Sequence, residues 1–343
     1  MANTRRVYAI GDGLYHVVTR IVASAFFLWR AEKDILLAMI KKAAKFGGIQ
    51  LITYCIMDNH VHLIVYVPMR RPVPDDELVE RIQYLYGEEK AQILFNQWSE
   101  MEEKGRLHEV DIAKEKFIRR MYSLSDFVKT WKENYTQSYN RRHNSRNKKR
   151  ENDLDDKRIG TIWAGRFKSI LLNGEPHLLL IVALYVDLNP VRAHIDGVGR
   201  DPGNYAWSGI GAALAKNPDP DVMEGILTLG RLAGFANEDC TPEQAVERYH
   251  EILLEKVGGD IGELLETRFK VGENDCRFSK SLRGREMSLF DLLLCRCRCF
   301  ENGRALAKKA SDLIQFAGSR PRPSVLLGYC SANGLRKTVV YSC

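Results

Sequence analysis

The sequence of 343 residues has no hydrophobic run long enough to cross a membrane, and its N-terminus has no apolar stretch of the signal-peptide type. A membrane-spanning helix needs about 18 or more apolar residues in a row, and a signal peptide needs an apolar region near its start. We therefore expect a cytoplasmic protein with no membrane partner, whose thiols stay reduced.

The eight cysteines lack the spacing of a structural zinc site. Three of them lie in CRCRC at 295–299, where the spacing is Cys-x-Cys-x-Cys rather than Cys-x-x-Cys, and no matching pair of His or Cys follows nearby. The pattern does not favour a metal there. Because 45% of the residues are hydrophobic and 28% are charged, a globular core can form without disulfides.

One segment lacks acidic residues altogether. Residues 141–150 read RRHNSRNKKR, with six Lys or Arg and no acid, in a chain whose net charge is +7. Such a run is typical of contacts with a phosphate backbone, because each contact releases condensed counterions; the alternative is a solvated loop. The candidate DNA contacts in this run are Arg141, Arg142, Lys148, Lys149 and Arg150.

The N-terminal part has the pattern of an α+β domain. Residues 14–20 and 50–67 are rich in β-branched and aromatic residues, which predicts strands. Between them, the apolar residues of 30–46 recur at helical spacing, and Gly47-Gly48 predicts the end of that helix. We predict an antiparallel sheet with helices packed on it.

The middle of the chain is mostly helical in pattern. Three prolines break the chain within 68–82, and we predict a helical, basic insertion over about 76–155. A turn and a strand are predicted over 160–172, followed by an apolar helix over 177–189. Because the residue before a proline avoids the α region, Asn189, before Pro190, is expected at or near the end of that helix.

Glycine and proline recur over 197–221, which predicts a domain boundary. We predict one domain over 1–215 and a mainly helical C-terminal region over 222–343. The helical patterns of that region lie at 243–256 and 287–316, and additional DNA binding is a possible role for it. After 317 the pattern is irregular.

The sequence His60-Val61-His62 lies in a predicted strand. Residues two apart in a strand point to the same face, so both imidazoles can reach one metal ion. Imidazole binds several divalent metals, and the spacing does not select one. The alternative is a pair of partly exposed structural histidines.

Tyr185 and Asn189 are four residues apart in the predicted apolar helix and therefore share a face. The carbonyl oxygen of an asparagine can complete a metal site, and a neighbouring tyrosine can attack a group that the metal polarises. The alternative is a core tyrosine followed by an asparagine at a helix end.

Taken together, MDNHVHLIV at 57–65 and YVDLNPVRA at 185–193 resemble the two signature motifs of single-tyrosine HUH transposases, and most closely those of REP-associated tyrosine transposases. Three supporting segments occur in the family's order over about 8–210: YHVVTR at 15–20, GTIWAGRFKS at 160–169 and YAWS at 205–208. Five motifs in order are more specific than any one alone.

The resemblance implies a metal-dependent enzyme that cuts and rejoins DNA. It implies that Tyr185 is the nucleophile and that His60, His62 and Asn189 bind Mg²⁺ or Mn²⁺. The implied substrate is single-stranded DNA with a hairpin, and no ATP or other nucleotide cofactor is needed. The resemblance leaves open whether the enzyme is a monomer or a homodimer.

Further candidate DNA contacts come from two segments. Arg166 and Lys168 lie in the family's turn motif. Tyr135 lies near the basic run, where a ring can stack on a base, and it is the second choice as nucleophile. Neither His16 nor His143 is predicted as a ligand.

Three other functions compete with this interpretation. A nuclease or replication initiator with the same paired histidines would have a different sequence around its nucleophile. A DNA-binding protein without cutting activity would not need both motifs intact. A metalloenzyme acting on small molecules would not need the basic run.

Overall fold

The computed structural model describes residues 8–9, 11–22, 28–147, 158–172 and 176–257, together with the backbone of two strands, 326–330 and 336–340. The helix predicted over 287–316 and the cysteine cluster at 295–299 lie outside the described residues. In the part of the chain that is described, no helix combines the length and apolar character that a membrane crossing requires.

A four-stranded antiparallel sheet forms the centre of the fold. Its strands are β1 (Gly13–Arg20), β2 (Gln50–Ile56), β3 (His60–Val67) and β4 (Lys168–Leu171), in the spatial order β2-β3-β1-β4. The predicted antiparallel sheet with helices packed on it is confirmed. The segment predicted as strand over 50–67 is a hairpin, since three residues, 57–59, turn the chain between β2 and β3.

Helix α1 (Arg30–Gly47) packs against the sheet through Leu36, Ile40 and Ala43, which are buried at the predicted helical spacing. The helix ends at Gly48, whose φ of 63° lies in the left-handed region that favours glycine. The predicted stop at Gly47-Gly48 is confirmed.

Four helices follow β3: α2 (Asp75–Tyr86), α3 (Glu88–Glu103), α4 (Leu107–Ile118) and α5 (Leu124–Asn147). Helices α2 to α4 form a helical insertion with a small core of their own, in which Leu78, Ile82 and Trp98 pack with Phe46 at the end of α1. The prediction of a basic insertion does not hold for this part. Residues 75–118 carry twelve acidic and six basic side chains, and the basic run begins only in the last turns of α5.

The C-terminal half of the described chain consists of α6 (Pro176–Asp187), α7 (Asn189–Arg192), α8 (Gly209–Ala213), α9 (Pro220–Ala233) and α10 (Pro242–Lys256). Helix α9 approaches β2 so closely at Gly225 that a Cβ there would lie 2.2 Å from the carbonyl oxygen of Leu51. Ile226 and Tyr249 belong to the same core as the sheet. The packed unit therefore extends beyond the predicted boundary at 215.

The two remaining strands, β5 (Leu326–Cys330) and β6 (Arg336–Val340), pair antiparallel with each other. They lie where the sequence predicted irregular chain, so that prediction is wrong for these ten residues. Tyr329 in β5 and the β-branched run TVV at 338–340 in β6 are residue types that are enriched in strands.

Candidate active site

His60 and His62 lie side by side at the start of β3. Their ring centroids are 4.9 Å apart and the rings are nearly perpendicular. His62 is buried, with 4% of its surface exposed, whereas His60 is partly exposed. The strand spacing predicted that the two side chains share a face, and the structure brings them together at the edge of the core.

Each of the two histidines has a hydrogen-bond partner at Nδ1. The Nδ1 atom of His60 lies 2.6 Å from Oδ1 of Asn59, an oxygen that can only accept. The Nδ1 atom of His62 lies 3.0 Å from Nε2 of His16. A partner at Nδ1 leaves Nε2 as the atom with which each ring can bind a metal.

Burial keeps both imidazoles neutral at ordinary pH. It lowers the pKa of His60 to about 4, and the nearby positive charge of Arg20 lowers it further, against a smaller raising effect of Asp58. Burial also lowers the pKa of His62 well below its usual value, with His16 as the next cause. Neutral imidazole is the form that binds a metal ion.

Tyr185 lies in the last turns of α6 beside these rings. Its ring centroid is 5.6 Å from that of His62 and 6.4 Å from that of His16, and its ring plane makes angles of 83° and 76° with theirs. The guanidinium carbon of Arg192, from α7, lies 5.4 Å from the centroid of the tyrosine ring. The second motif therefore places the phenol of Tyr185 and the cation of Arg192 on the face that carries the histidines.

Asn189 lies at the junction of α6 and α7, as the sequence predicted. Its side-chain nitrogen donates a hydrogen bond to the carbonyl oxygen of Tyr185 at 2.8 Å. This bond satisfies one of the carbonyls left without a partner at a helix end. Because the nitrogen serves the helix, the side-chain oxygen is the atom suited to binding a cation.

Two imidazole nitrogens and one amide oxygen are donor types that a divalent ion accepts. The hydrogen bonds at the far side of each group fit this use, since they orient the ligand and leave one donor atom available. Within the described residues, no group of three or more His, Cys, Asp or Glu side chains could hold a metal. A metal bound by His60 and His62 would take the rest of its ligands from an amide oxygen, water or the substrate.

Asp187 anchors the end of α6 from the other side of the helix. Its carboxylate is fully buried and accepts hydrogen bonds from Thr53 on β2 at 2.7 Å and from Tyr249 on α10 at 2.9 Å. The backbone N–H of Ile210 donates a third bond at 3.2 Å. Burial raises the pKa of Asp187 to about 6, and these hydrogen bonds oppose that rise. Through these hydrogen bonds the carboxylate connects β2, α8 and α10 to the segment between Tyr185 and Asn189.

A second polar cluster supports the turn before His60. The buried amine of Lys33 donates to Asp58 at 2.6 Å and to the hydroxyl of Tyr205 at 2.8 Å. The Tyr205 hydroxyl in turn donates to the carbonyl oxygen of Ile56 at 2.7 Å. The YAWS segment therefore holds the β2–β3 turn in place.

The predicted DNA contacts differ in accessibility. Arg141, Arg166 and Lys168 are exposed, as a contact with a phosphate backbone requires. Arg142 is half-buried and forms an ion pair with Glu32 on α1, so its charge is already used within the fold. Three further predicted contacts lie outside the described residues: Lys148, Lys149 and Arg150.

Tyr135 is a core residue rather than a DNA contact. Its side chain is fully buried, its hydroxyl donates to Glu32 at 2.8 Å, and its ring packs near Trp163. Burial, followed by the negative charge of Glu32, raises the pKa of Tyr135. No face of the ring is open to a base, and the raised pKa disfavours a nucleophilic phenolate. Both roles suggested for Tyr135 are corrected by this burial.

Sequence reasoning missed three residues of this site. Arg192 lies within the second motif, seven residues after Tyr185. In a helix that spacing is close to two full turns, so it could have indicated that the two side chains share a face. His16 required the register of β1 against β3, in which Val18 pairs with His62. Asp187 required a partner 62 residues away on α10, and no sequence pattern indicates that contact.

Residues 10–106 match the family described as IS200-like transposases. This segment contains His16, His60 and His62 but ends before Tyr185 and Asn189. The match agrees with the resemblance carried by the motifs and supports a transposase function. No curated protein is significantly similar in sequence to this chain.

Among solved structures, one similar to this chain is a REP-associated tyrosine transposase bound to a REP hairpin, at 14% sequence identity. The likeness covers 64% of this chain and 90% of that chain, with a TM-score of 0.38.

Proposed function

We propose that this protein is a transposase that cuts and rejoins single-stranded DNA next to a hairpin, through a covalent link between Tyr185 and the 5′-phosphate. The observation that supports this proposal most strongly is the meeting of Tyr185 with the histidine pair. Residues from motifs more than a hundred positions apart lie with their rings 5.6 Å apart. A purely structural tyrosine would not need two neutral histidines and an exposed arginine beside it.

In the proposed reaction, the phenol oxygen of Tyr185 attacks the phosphorus of the scissile phosphodiester. The phenol proton leaves to solvent, a bond forms between that oxygen and phosphorus, and the bond to the 3′-oxygen breaks. The 3′-oxygen takes up a proton from solvent, so the net proton count is unchanged. The products are a 5′-phosphotyrosine and a free 3′-hydroxyl. Because the phosphoester bond is exchanged rather than hydrolysed, a 3′-hydroxyl can reverse the step and join strands without ATP.

The residues around Tyr185 have distinct tasks in this proposal. Arg192 lies over the ring, where a cation stabilises the negative charge that the phenol gains on losing its proton. His60, His62 and Asn189 would hold Mg²⁺ or Mn²⁺, which supplies Lewis-acid stabilisation of charge on the non-bridging phosphate oxygens. These three ligands are neutral, so the charge of the ion is not cancelled by the protein.

The surface that would carry the DNA includes Arg141, Arg166 and Lys168, all exposed. Each contact with a phosphate adds to affinity and to its salt dependence. We propose that these contacts are independent of base sequence.

The test is the formation of a covalent protein–DNA adduct. The protein is incubated with Mn²⁺ and a pool of single strands that share a hairpin stem length but have randomised sequence, and adducts are separated under denaturing conditions. We expect an adduct from the wild type, none from Tyr185→Phe, and none in the presence of EDTA. Tyr84→Phe, an exposed tyrosine on α2, is the matched control and should retain the adduct.

Three results would contradict the proposal. An adduct from Tyr185→Phe would mean that another residue is the nucleophile. Binding of the pool without any adduct from the wild type would favour a DNA-binding protein that does not cut. Adduct formation that survives EDTA would remove the metal from the mechanism.

A further inference from the structure

We propose that His16 is a positioning residue that fixes the tautomer and the ring orientation of His62, and thereby makes Nε2 of His62 the metal-binding atom. This inference rests on the proposed function, because it assumes that His60 and His62 bind the metal. It assigns a task to a histidine that the spacing of the motifs does not identify.

The sheet register brings the two rings together. His62 on β3 pairs with Val18 on β1, so His16, two residues along β1, lies diagonally opposite His62 on the same face. The two ring planes differ by only 14° and their centroids are 5.2 Å apart. Nε2 of His16 lies 3.0 Å from Nδ1 of His62, which is hydrogen-bond distance.

Burial makes this hydrogen bond consequential. His16 is fully buried, and only 4% of the surface of His62 is exposed. Water therefore does not compete for the bond, and a buried polar group that lost its partner would pay the full desolvation penalty. By contrast, the partner of His60 is Asn59, which is exposed and adjacent in sequence. Of the two histidines, His62 is the one whose orientation depends on a distant, buried partner.

The chemistry of imidazole turns this contact into a constraint on metal binding. A neutral histidine carries one ring proton, on either Nδ1 or Nε2. If His16 donated from Nε2, the proton of His62 would have to be on its own Nε2, and neither of its nitrogens would be available to a metal. If His62 donates from Nδ1, its Nε2 keeps a lone pair. Metal binding by His62 therefore requires His16 to accept, with its own proton on Nδ1.

The same geometry argues against His16 as a third ligand. Its Nε2 is engaged with His62, and the described residues contain no cluster of three His, Cys, Asp or Glu that could hold a metal. His16 also lies with its ring centroid 6.4 Å from that of Tyr185, edge to face. One buried ring thus contacts both the proposed ligand and the proposed nucleophile without replacing either.

The experiment compares two substitutions of His16 in the full-length protein. His16→Gln keeps an acceptor, since its amide oxygen can receive the Nδ1 proton of His62. His16→Leu removes the acceptor but fills the space with apolar atoms. Two quantities are measured: the affinity for Mn²⁺, from the electron paramagnetic resonance signal of the free ion, and the tautomer of His62, from the ¹⁵N chemical shifts of its ring nitrogens.

We expect the wild type to carry the His62 proton on Nδ1. His16→Leu should move that proton to Nε2 and weaken Mn²⁺ binding by about 10- to 100-fold, the usual effect of losing a partner that orients a metal ligand. His16→Gln should retain the Nδ1 proton and most of the affinity. Circular dichroism checks that both variants are folded. Mn²⁺ affinity can also change when packing changes, whereas the tautomer of His62 reports directly on the hydrogen bond from its Nδ1.

Three outcomes would overturn the inference. In the first, His16→Leu leaves both the tautomer and the affinity as in the wild type. In the second, both variants lose affinity equally while the His62 proton stays on Nδ1, which would assign His16 to packing alone. In the third, Mn²⁺ binding survives His60→Ala in otherwise wild-type protein. That result would show that the proposed metal site itself is wrong, and it is distinguishable from the first two because it does not involve His16.

Discussion

Strand β3 connects two regions that are built in different ways. Its first residue, His60, belongs to the candidate active site, and the helical insertion follows its last residue, Val67. A strand of eight residues separates them by roughly 23 Å along the chain direction. Around His60 the structure buries polar groups. In the insertion the buried side chains are apolar, and the charged side chains lie at the surface.

The difference is visible in which polar side chains are buried. Those around the site include His16, Thr53, His62 and Asp187, whereas none of residues 75–118 is buried and polar. A buried polar group needs its partner in place, while an apolar core tolerates small shifts. The site should therefore be sensitive to single hydrogen bonds, and the insertion should be sensitive mainly to lost volume.

The largest expected effect on stability comes from removing a central buried side chain in each region. Asp187→Ala leaves the hydroxyls of Thr53 and Tyr249 and a backbone N–H without their acceptor, so we expect the free energy of unfolding to fall by about 3 kcal/mol or more. Trp98→Ala empties the core of the insertion and should cost about 3–5 kcal/mol. Urea denaturation measures both.

The two variants should differ in DNA cleavage despite similar losses of stability. At a temperature where both are folded, Asp187→Ala should reduce adduct formation, because the segment that holds Tyr185 and Asn189 loses its anchor. Trp98→Ala should not reduce it. Equal loss of adduct in both variants would mean that the two regions are not separate in function.

A smaller effect is expected from the surface charges. Removing three exposed cations, by Arg141→Ala, Arg166→Ala and Lys168→Ala together, should weaken binding of single-stranded DNA by about tenfold at roughly 0.1 M salt. The slope of log affinity against log salt should become shallower by about 0.7 for each phosphate that the protein no longer neutralises. Fluorescence anisotropy over a salt series measures both quantities.

The matched control removes three exposed acids from the insertion, by Glu88→Gln, Glu89→Gln and Glu103→Gln on α3. Because α3 is acidic and far along the chain from the site, DNA affinity should be nearly unchanged. A change as large as that of the triple alanine variant would place DNA on the insertion.

The smallest expected effect is a pH dependence within the insertion. A hydrogen bond from Arg71 lowers the pKa of Glu77 below its usual value of 4.5, with a further contribution from Arg81. The folded protein thus binds this proton less tightly than the unfolded chain does. The resulting stability is present above about pH 4.5 and is lost as the pH falls through the lowered pKa.

Glu77→Gln tests this assignment. At pH 7 it should lower the free energy of unfolding by about 0.5–1 kcal/mol, the usual range for an ion pair at the surface. At pH 3 the difference between variant and wild type should shrink toward zero. Persistence of the full difference at pH 3 would show that packing of the side chain, rather than its charge, is responsible.

Local patterns were sufficient for much of the fold and for half of the site. Alternation placed His60 and His62 on one face of a strand, and helical spacing placed Tyr185 near Asn189. The strand and helix bounds follow from residues close in sequence, such as Gly48 at the end of α1. These features depend on the side-chain periods of a strand, two residues, and of a helix, 3.6 residues, which can be recognised in a short stretch of sequence.

The remainder depends on contacts between distant parts of the chain. Tyr135 lies beside a basic run, which suggests exposure, but the packing of α5 against α1 buries it. The contact of His16 with His62 depends on which residues of β1 and β3 face each other. The acidic character of 75–118 was present in the sequence but was obscured by the basic run that follows it.

The hydrogen bond between Tyr249 and Asp187 has a practical consequence for recombinant fragments. A fragment that ended at residue 215 would contain every motif of the proposed chemistry, yet it would lack α9, which covers β2, and the α10 hydroxyl that binds the buried carboxylate. Such a fragment would expose apolar sheet and leave Asp187 short of a donor. The smallest piece of this protein worth expressing for crystallisation or NMR therefore runs at least to residue 257.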